Sequence, residues 1–158
     1  KMDDVKLVGK INGLKIKMPE FIANKIGIVS NIELIPEEIF CYEIVLQLLC
    51  IQLSKENVDV SKLHSVTIMF VSDGNYSIQL MDDRVAGYTT SVIVYVMNKI
   101  RTYNSNEKVM AILLEELAHH FWNIEDEIIV KHKVLEIMRN VNPKLRMEDI
   151  YDNGEKYL

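Results

Sequence analysis

Residues Leu113 to Glu127, LLEELAHHFWNIEDE, set two carboxylates and two imidazoles inside a segment that otherwise reads as an apolar helix. From Val109 to Trp122 the residues Val109, Met110, Ile112, Leu113, Leu114, Leu117, Ala118, Phe121 and Trp122 cover nearly the whole helical circumference, so the sequence predicts a largely buried helix. Charged groups are rarely buried without a partner or a metal. Glu115, Glu116, His119 and His120 therefore need partners. Glu115 and His119 stand four apart and Glu116 and His119 three apart, so each pair shares a helix face in the geometry of a chelate.

The rest of the chain suits one compact domain. Of its 158 residues 49% are hydrophobic and 26% charged, enough for a sizeable core. A net charge of -5 argues against a polyanion as main partner, so no nucleic acid is expected. The first 25 residues run against that average with six lysines and three acids, which reads as a solvated hairpin or a weak docking surface for an acidic partner. No apolar stretch near the N-terminus resembles a signal peptide, and no apolar run is long enough to span a bilayer. Cys41 and Cys50 read as small buried hydrophobes, and a reducing, cytoplasmic setting is the expectation.

Residues 5 to 18 alternate imperfectly around Asn12-Gly13, which predicts an N-terminal hairpin within residues 1–18. Residues 19 to 35 fit either helix or strand and stay unassigned. Pro36-Glu37-Glu38 opens a helix to about Leu53, with an apolar face of Ile39, Phe40, Ile44, Leu48 and Leu49. Val66 to Val71, Tyr76 to Met81 and Val92 to Met97 read as strands separated by turn residues at 72–75 and 82–83. Ser105 is the expected cap of the buried helix, and a last helix is expected from about Ile124 to Val141, stopped by Asn142-Pro143. Residues 144–158 read as a polar, peripheral tail.

The motif narrows the chemistry. A zincin helix carries His-Glu-x-x-His, in which two histidines one turn apart bind zinc and the glutamate between them activates the metal-bound water. Here the frame reads Glu115-Glu116-Leu117-Ala118-His119. With ELAHHF followed by IEDE, it resembles the small bacterial zincin-like metallopeptidases, whose motif runs His-Glu-h-x-His-His-Phe-Gly-h-x-Asp-Glu, h being apolar. The resemblance extends back to Ala86-Gly87-Tyr88 and Val92 to Val96, similar to the edge strand that precedes a zincin's active helix, and so covers roughly residues 66 to 138. A looser resemblance is to cytosolic repressor-cleaving zincins of mobile elements.

What the resemblance implies is an α+β, zincin-like domain: a small mixed, mostly antiparallel sheet covered by the Pro36 and Val109 helices, with the last helix beneath a cleft. It implies a metal-dependent peptidase in which His119 is the second metal ligand, Glu116 the general base and Glu125 the third ligand. Position 115 is glutamate where the pattern has histidine, and position 122 is tryptophan where it has glycine. Tryptophan resists the positive φ that a glycine allows, so the turn is open to reshaping, and Glu127 becomes the alternative third ligand. Glu115 remains an acceptable ligand for zinc, and a carboxylate-rich set moves preference toward iron or manganese. Two anionic ligands would make the ion a weaker Lewis acid, so slow hydrolysis or none is expected. Gly87, Tyr88 and Tyr95 are the candidate substrate-binding residues, beside an edge strand that would pair with an extended protein or peptide partner.

Against this stands a metal-free reading, in which Glu115 and His119 form a buried acid–imidazole hydrogen bond. The functional choice is thus between a divergent metallopeptidase and a non-catalytic pseudopeptidase that keeps the cleft as a binding module.

Overall fold

A computed structural model describes residues 5–152 as a mixed α+β fold. In chain order the elements are β1 (Val5–Leu7), β2 (Ile26–Ser30), α1 (Pro36–Lys55), β3 (Val66–Val71), β4 (Ile78–Leu80), β5 (Val92–Val96), α2 (Met97–Ile100), α3 (Asn106–Phe121), α4 (Glu127–Met138) and α5 (Met147–Ile150). Short 3-10 turns at Glu20–Ile22 and Val60–Lys62 link them. The unassigned stretch 19–35 thus holds both a helical turn and a strand. Among the described residues no helix is long and apolar enough to cross a membrane.

The central sheet has the order β2-β3-β5, and all three strands are parallel, with Ile26 opposite Val66 and Thr67 opposite Val92. The expected mostly antiparallel sheet is therefore corrected. After the turn residues at 72–75, β4 leaves the sheet and β5 returns alongside β3 in the same direction. The middle strand carries the mark of this arrangement: all six residues of VTIMFV are buried, as expected of a parallel strand covered on both faces. Val66, Ile68 and Phe70 face α1 and α3, while Met69 and Val71 face the other way.

That second face is closed by an antiparallel ribbon in which β1 pairs with β4, Val5 opposite Leu80 and Leu7 opposite Ile78. Among the described residues no hairpin closes around Asn12-Gly13; the first four residues of the expected 1–18 hairpin lie outside them. The chain turns earlier, at Gly9 (φ +77°), where Lys10 N donates to Leu7 O at 3.2 Å. The physical reason is a split between two cores. Leu7 is fully buried against Met69 and Val71, whereas Leu14, Ile16 and Met18 pack on the helical side. A hairpin would hold both halves side by side and deny one of them its core. Burying a leucine contributes roughly 1.5–3 kcal/mol, more than a marginal isolated two-stranded hairpin supplies.

α1 begins at Pro36, and the Glu38 carboxylate accepts from Ile35 N at 3.0 Å to satisfy one free end of the helix. Of the expected apolar face, Leu48 and Leu49 are buried and Ile39 and Ile44 pack partly buried on the core, while Phe40 is 66% exposed; Tyr42, Val45, Leu46 and Leu53 widen the buried face. α3 is capped by Ser105, whose Oγ accepts from Lys108 N at 3.2 Å. It packs on α1, α4, α5 and β5. Cys50 is buried, and burial pushes its thiol up to about 11.

The tail is not peripheral as far as it is described. Leu145, Met147, Ile150 and Tyr151 are buried, and α5 packs on α3. Their apolar spacing gives residues 145–151 an inward face, which the surrounding lysines and acids hide in composition. Residues 153–158 lie outside the described part.

Candidate functional site

The site is built where α3, α4 and the segment after α5 meet. Glu115 and His119 share one face of α3, as their spacing predicts. α3 then ends in a Schellman-type turn. Asn123 adopts the left-handed conformation (φ 51°), and Ile124 N donates to His119 O at 3.2 Å. Trp122 keeps an ordinary φ of -104°, so the turn comes one residue later than the glycine of the resembled motif would place it. Asp126 caps α4 by accepting from Ile128 N and Ile129 N, both at 2.9 Å. The last helix accordingly begins at Glu127, not Ile124.

The turn sets which acidic residue of the 125–127 stretch comes beside His119. Glu127, on the first turn of α4, brings Oε1 to 3.6 Å from His119 Nε2. One potential ligand atom from each of Glu115, His119 and Glu127 lies within 4.8 Å of the others. Glu125 lines the same cleft but stands outside this group, in the exposed link before α4; of the two candidate third ligands it is Glu127 that lies beside His119. His119 Nδ1 is hydrogen-bonded to Ile124 O. A carbonyl only accepts, so Nδ1 carries the proton, and in the neutral ring Nε2 keeps its lone pair toward the two carboxylates. That is the orientation a metal-binding histidine takes.

Glu115 is already engaged. Lys131 Nζ lies 3.3 Å from its Oε1, and Tyr151 OH donates to its Oε2 at 2.9 Å. Lys131 and Glu115 side chains are only 12% and 15% exposed, and the ammonium also sits over the Tyr151 ring, 4.9 Å from its centroid. In donor chemistry Glu115, His119 and Glu127 suit a divalent ion. As the side chains stand, the Lys131 ammonium is in contact with Glu115, so an ion held there would meet a neighbouring positive charge. The direct Glu115–His119 hydrogen bond of the metal-free reading is replaced by these two bonds.

Beside the group lies an open cleft of about 780 Å³, walled by Thr90, Ser91, Val92 and Ile93 on one side and by Glu116, His119, His120 and Glu127 on the other. Burial against this wall pushes the Glu116 carboxyl above its ordinary value; His119 and Lys131 pull it down, and the charges of Glu115 and Glu127 raise it. Such a carboxyl is suited in kind to exchanging a proton. His120, on the same wall but outside the Glu115–His119–Glu127 group, has Nε2 2.9 Å from His64 O, which ties α3 to the loop before β3. β5 is an edge strand of the described sheet, pairing with β3 alone, and its first residues form the cleft's rim.

The three candidate substrate-binding residues separate. Tyr88 lines a recess of about 320 Å³ with His64, Thr90 and Ser91, next to the cleft. Gly87 is exposed with no atom within 4 Å of where a Cβ would stand, so nothing in the packing requires a glycine there. Tyr95 is 2% exposed, donates to Leu113 O at 2.6 Å and packs against Tyr42 and Phe70 at ring distances of 5.8 and 5.4 Å. It is a core residue, and its substrate-binding assignment is corrected: its side chain alternates with Val94 and Val96 and points to the helical side.

Two members of the site escaped the sequence reading. Lys131 had a signal, since it follows Glu127 by one helical turn and so shares its face. Tyr151 had none, because its place depends on how residues 145–151 fold back onto α3. No protein-family model, no curated protein and no solved structure matches the chain.

Proposed function

We propose that this chain is a zincin-like protein whose cleft binds a protein or peptide segment and whose hydrolytic activity is weak or lost. One observation carries the reading: at the position where the resembled motif has its first metal-binding histidine, both oxygens of Glu115 are held, by Lys131 at 3.3 Å and Tyr151 at 2.9 Å. A first ligand tied to an ammonium is a poor start for a catalytic metal centre. The cleft persists beside it, and the open edge of β5 supports pairing with an extended partner by strand addition.

A second reading, a working metal-dependent peptidase, is favoured by the convergence of Glu115, His119 and Glu127. In that case these three hold zinc, or else iron or manganese, and the ion supplies Lewis acidity. Glu116, with its raised carboxyl at the cleft wall, is then the group that accepts and returns the proton.

Metal analysis of protein purified without chelator, with a peptide-hydrolysis assay, separates the two. The first reading expects little zinc and no cleavage above background in the wild type, and more zinc in Glu115→His, which restores the motif. Stoichiometric metal and metal-dependent cleavage in the wild type would establish the second. Zinc in neither protein would remove the support for a zincin-type site.

A further inference from the structure

We infer that Lys131 is the resident cation of the Glu115–His119–Glu127 group and keeps divalent metal out of it. The inference rests on the proposed reading only in taking this group as the counterpart of a zincin centre. Its grounds are geometric. The groups that face one another here are Glu115, Glu116 and His119 from α3, Glu127 and Lys131 from α4, and Tyr151 from beyond α5. The mostly buried Glu115 carboxylate, with Glu116 beside it, needs positive charge, and the Lys131 ammonium supplies it from within the chain.

Lys131 is also held in place. Its side chain is nine-tenths out of solvent, its Nζ is 3.3 Å from Glu115 Oε1, and the face of the Tyr151 ring lies 4.9 Å from it. Tyr151 thus grips both partners, by its hydroxyl on Glu115 and by its ring on Lys131. A divalent ion using Glu115, His119 and Glu127 would sit within a few ångströms of this ammonium, where like charges repel strongly in a partly dry site. The ion must therefore displace Lys131 before it can use Glu115. Glu127 and Lys131, one turn apart on α4, present a prospective ligand and its competitor on a single face.

The test is removal of the charge while the stem is kept. Wild type, Lys131→Met, Lys131→Arg and the double variant Lys131→Met/Glu115→Gln are stripped of metal and titrated with Zn²⁺ by calorimetry and with Co²⁺ by visible absorption. Lys131→Met is expected to bind one equivalent at least tenfold more tightly than wild type, with a Co²⁺ spectrum of a protein-bound ion. Lys131→Arg should resemble wild type, and the double variant should lose the gain. Equal affinity of wild type and a folded Lys131→Met, or a gain that survives loss of Glu115, would overturn the inference. Should the methionine variant not fold, Lys131→Gln replaces it under the same criteria. A gain in Lys131→Met with no zinc in Glu115→His would sink the zincin reading and leave this inference standing; the opposite pattern would do the reverse.

Discussion

His119 and Ile124 bond each other twice: Ile124 N donates to His119 O at 3.2 Å, and His119 Nδ1 to Ile124 O. One turn therefore both ends α3 and aims the imidazole. Its pivot is Asn123 at φ 51°, a conformation that asparagine tolerates and branched residues resist. Asn123→Val should cost about 1–2 kcal/mol in urea unfolding, while Asn123→Gly should be close to neutral. An equal loss from both would mean that the asparagine side chain, and not the backbone conformation, matters.

Tyr151 holds Glu115 from a distant part of the chain, and its ring is buried. Tyr151→Phe keeps the ring and removes one donor from a mostly buried carboxylate, for an expected loss of about 1–3 kcal/mol. Tyr151→Ala also opens a cavity and should cost about 3–5 kcal/mol. Chemical denaturation of both variants checks this; an unchanged Tyr151→Phe would show that the bond contributes nothing.

Leu7 is the buried anchor of the β1–β4 ribbon on the second face of the sheet. Leu7→Ala should lose about 2–5 kcal/mol. Because β4 pairs with β1 alone among the described residues, the loop 72–91 around it should also become more open to limited proteolysis. Cleavage elsewhere first would contradict the ribbon's dependence on Leu7.

Glu38 and Arg101 form a two-pronged pair, with Arg101 Nε to Oε2 at 2.9 Å and the guanidinium's terminal nitrogen to Oε1 at 2.8 Å. The Arg101 hydrogen bonds hold the Glu38 carboxyl below its ordinary value, outweighing its burial. A depressed folded-state pKa contributes stability that is present above the unfolded value and lost as pH falls through the folded one. With Arg101 39% exposed, that contribution is about 0.5–1 kcal/mol. Glu38→Gln should be less stable by this amount at pH 7, and in thermal melts the gap should begin to shrink as pH falls below 4.5 and close only once pH has passed the lowered folded-state value. A difference that persists undiminished at acid pH would assign the effect to packing.

Much of the fold was legible locally. Pro36 with its following acids, Ser105 before the apolar helix, and the VTIMFV run each announce an element whose observed bounds agree within a few residues. The chelate-like spacing of Glu115 and His119 was equally plain, since a helix turns residues four apart onto one face whatever surrounds it. Where the reading of single elements failed, two alternatives were locally equivalent. Gly9 and Gly13 both take a positive φ, and it is the separate burial of Leu7 and of Leu14, Ile16 and Met18 that keeps the two sides of Asn12-Gly13 from pairing as a hairpin.

By itself, then, the amino-acid sequence determined the helix that carries the polar group and the need of that group for partners, because periodicity and the cost of burying charge act over a few residues. The tertiary structure decided strand direction, which of Glu125 and Glu127 stands beside His119, and the identity of the cation beside Glu115. Each of these depends on where segments tens of residues apart come to rest: Lys131 reaches Glu115 only because α4 crosses α3, and Tyr151 only because residues 145–151 bury their apolar side against α3. Sequence spacing carries no record of that distance in space.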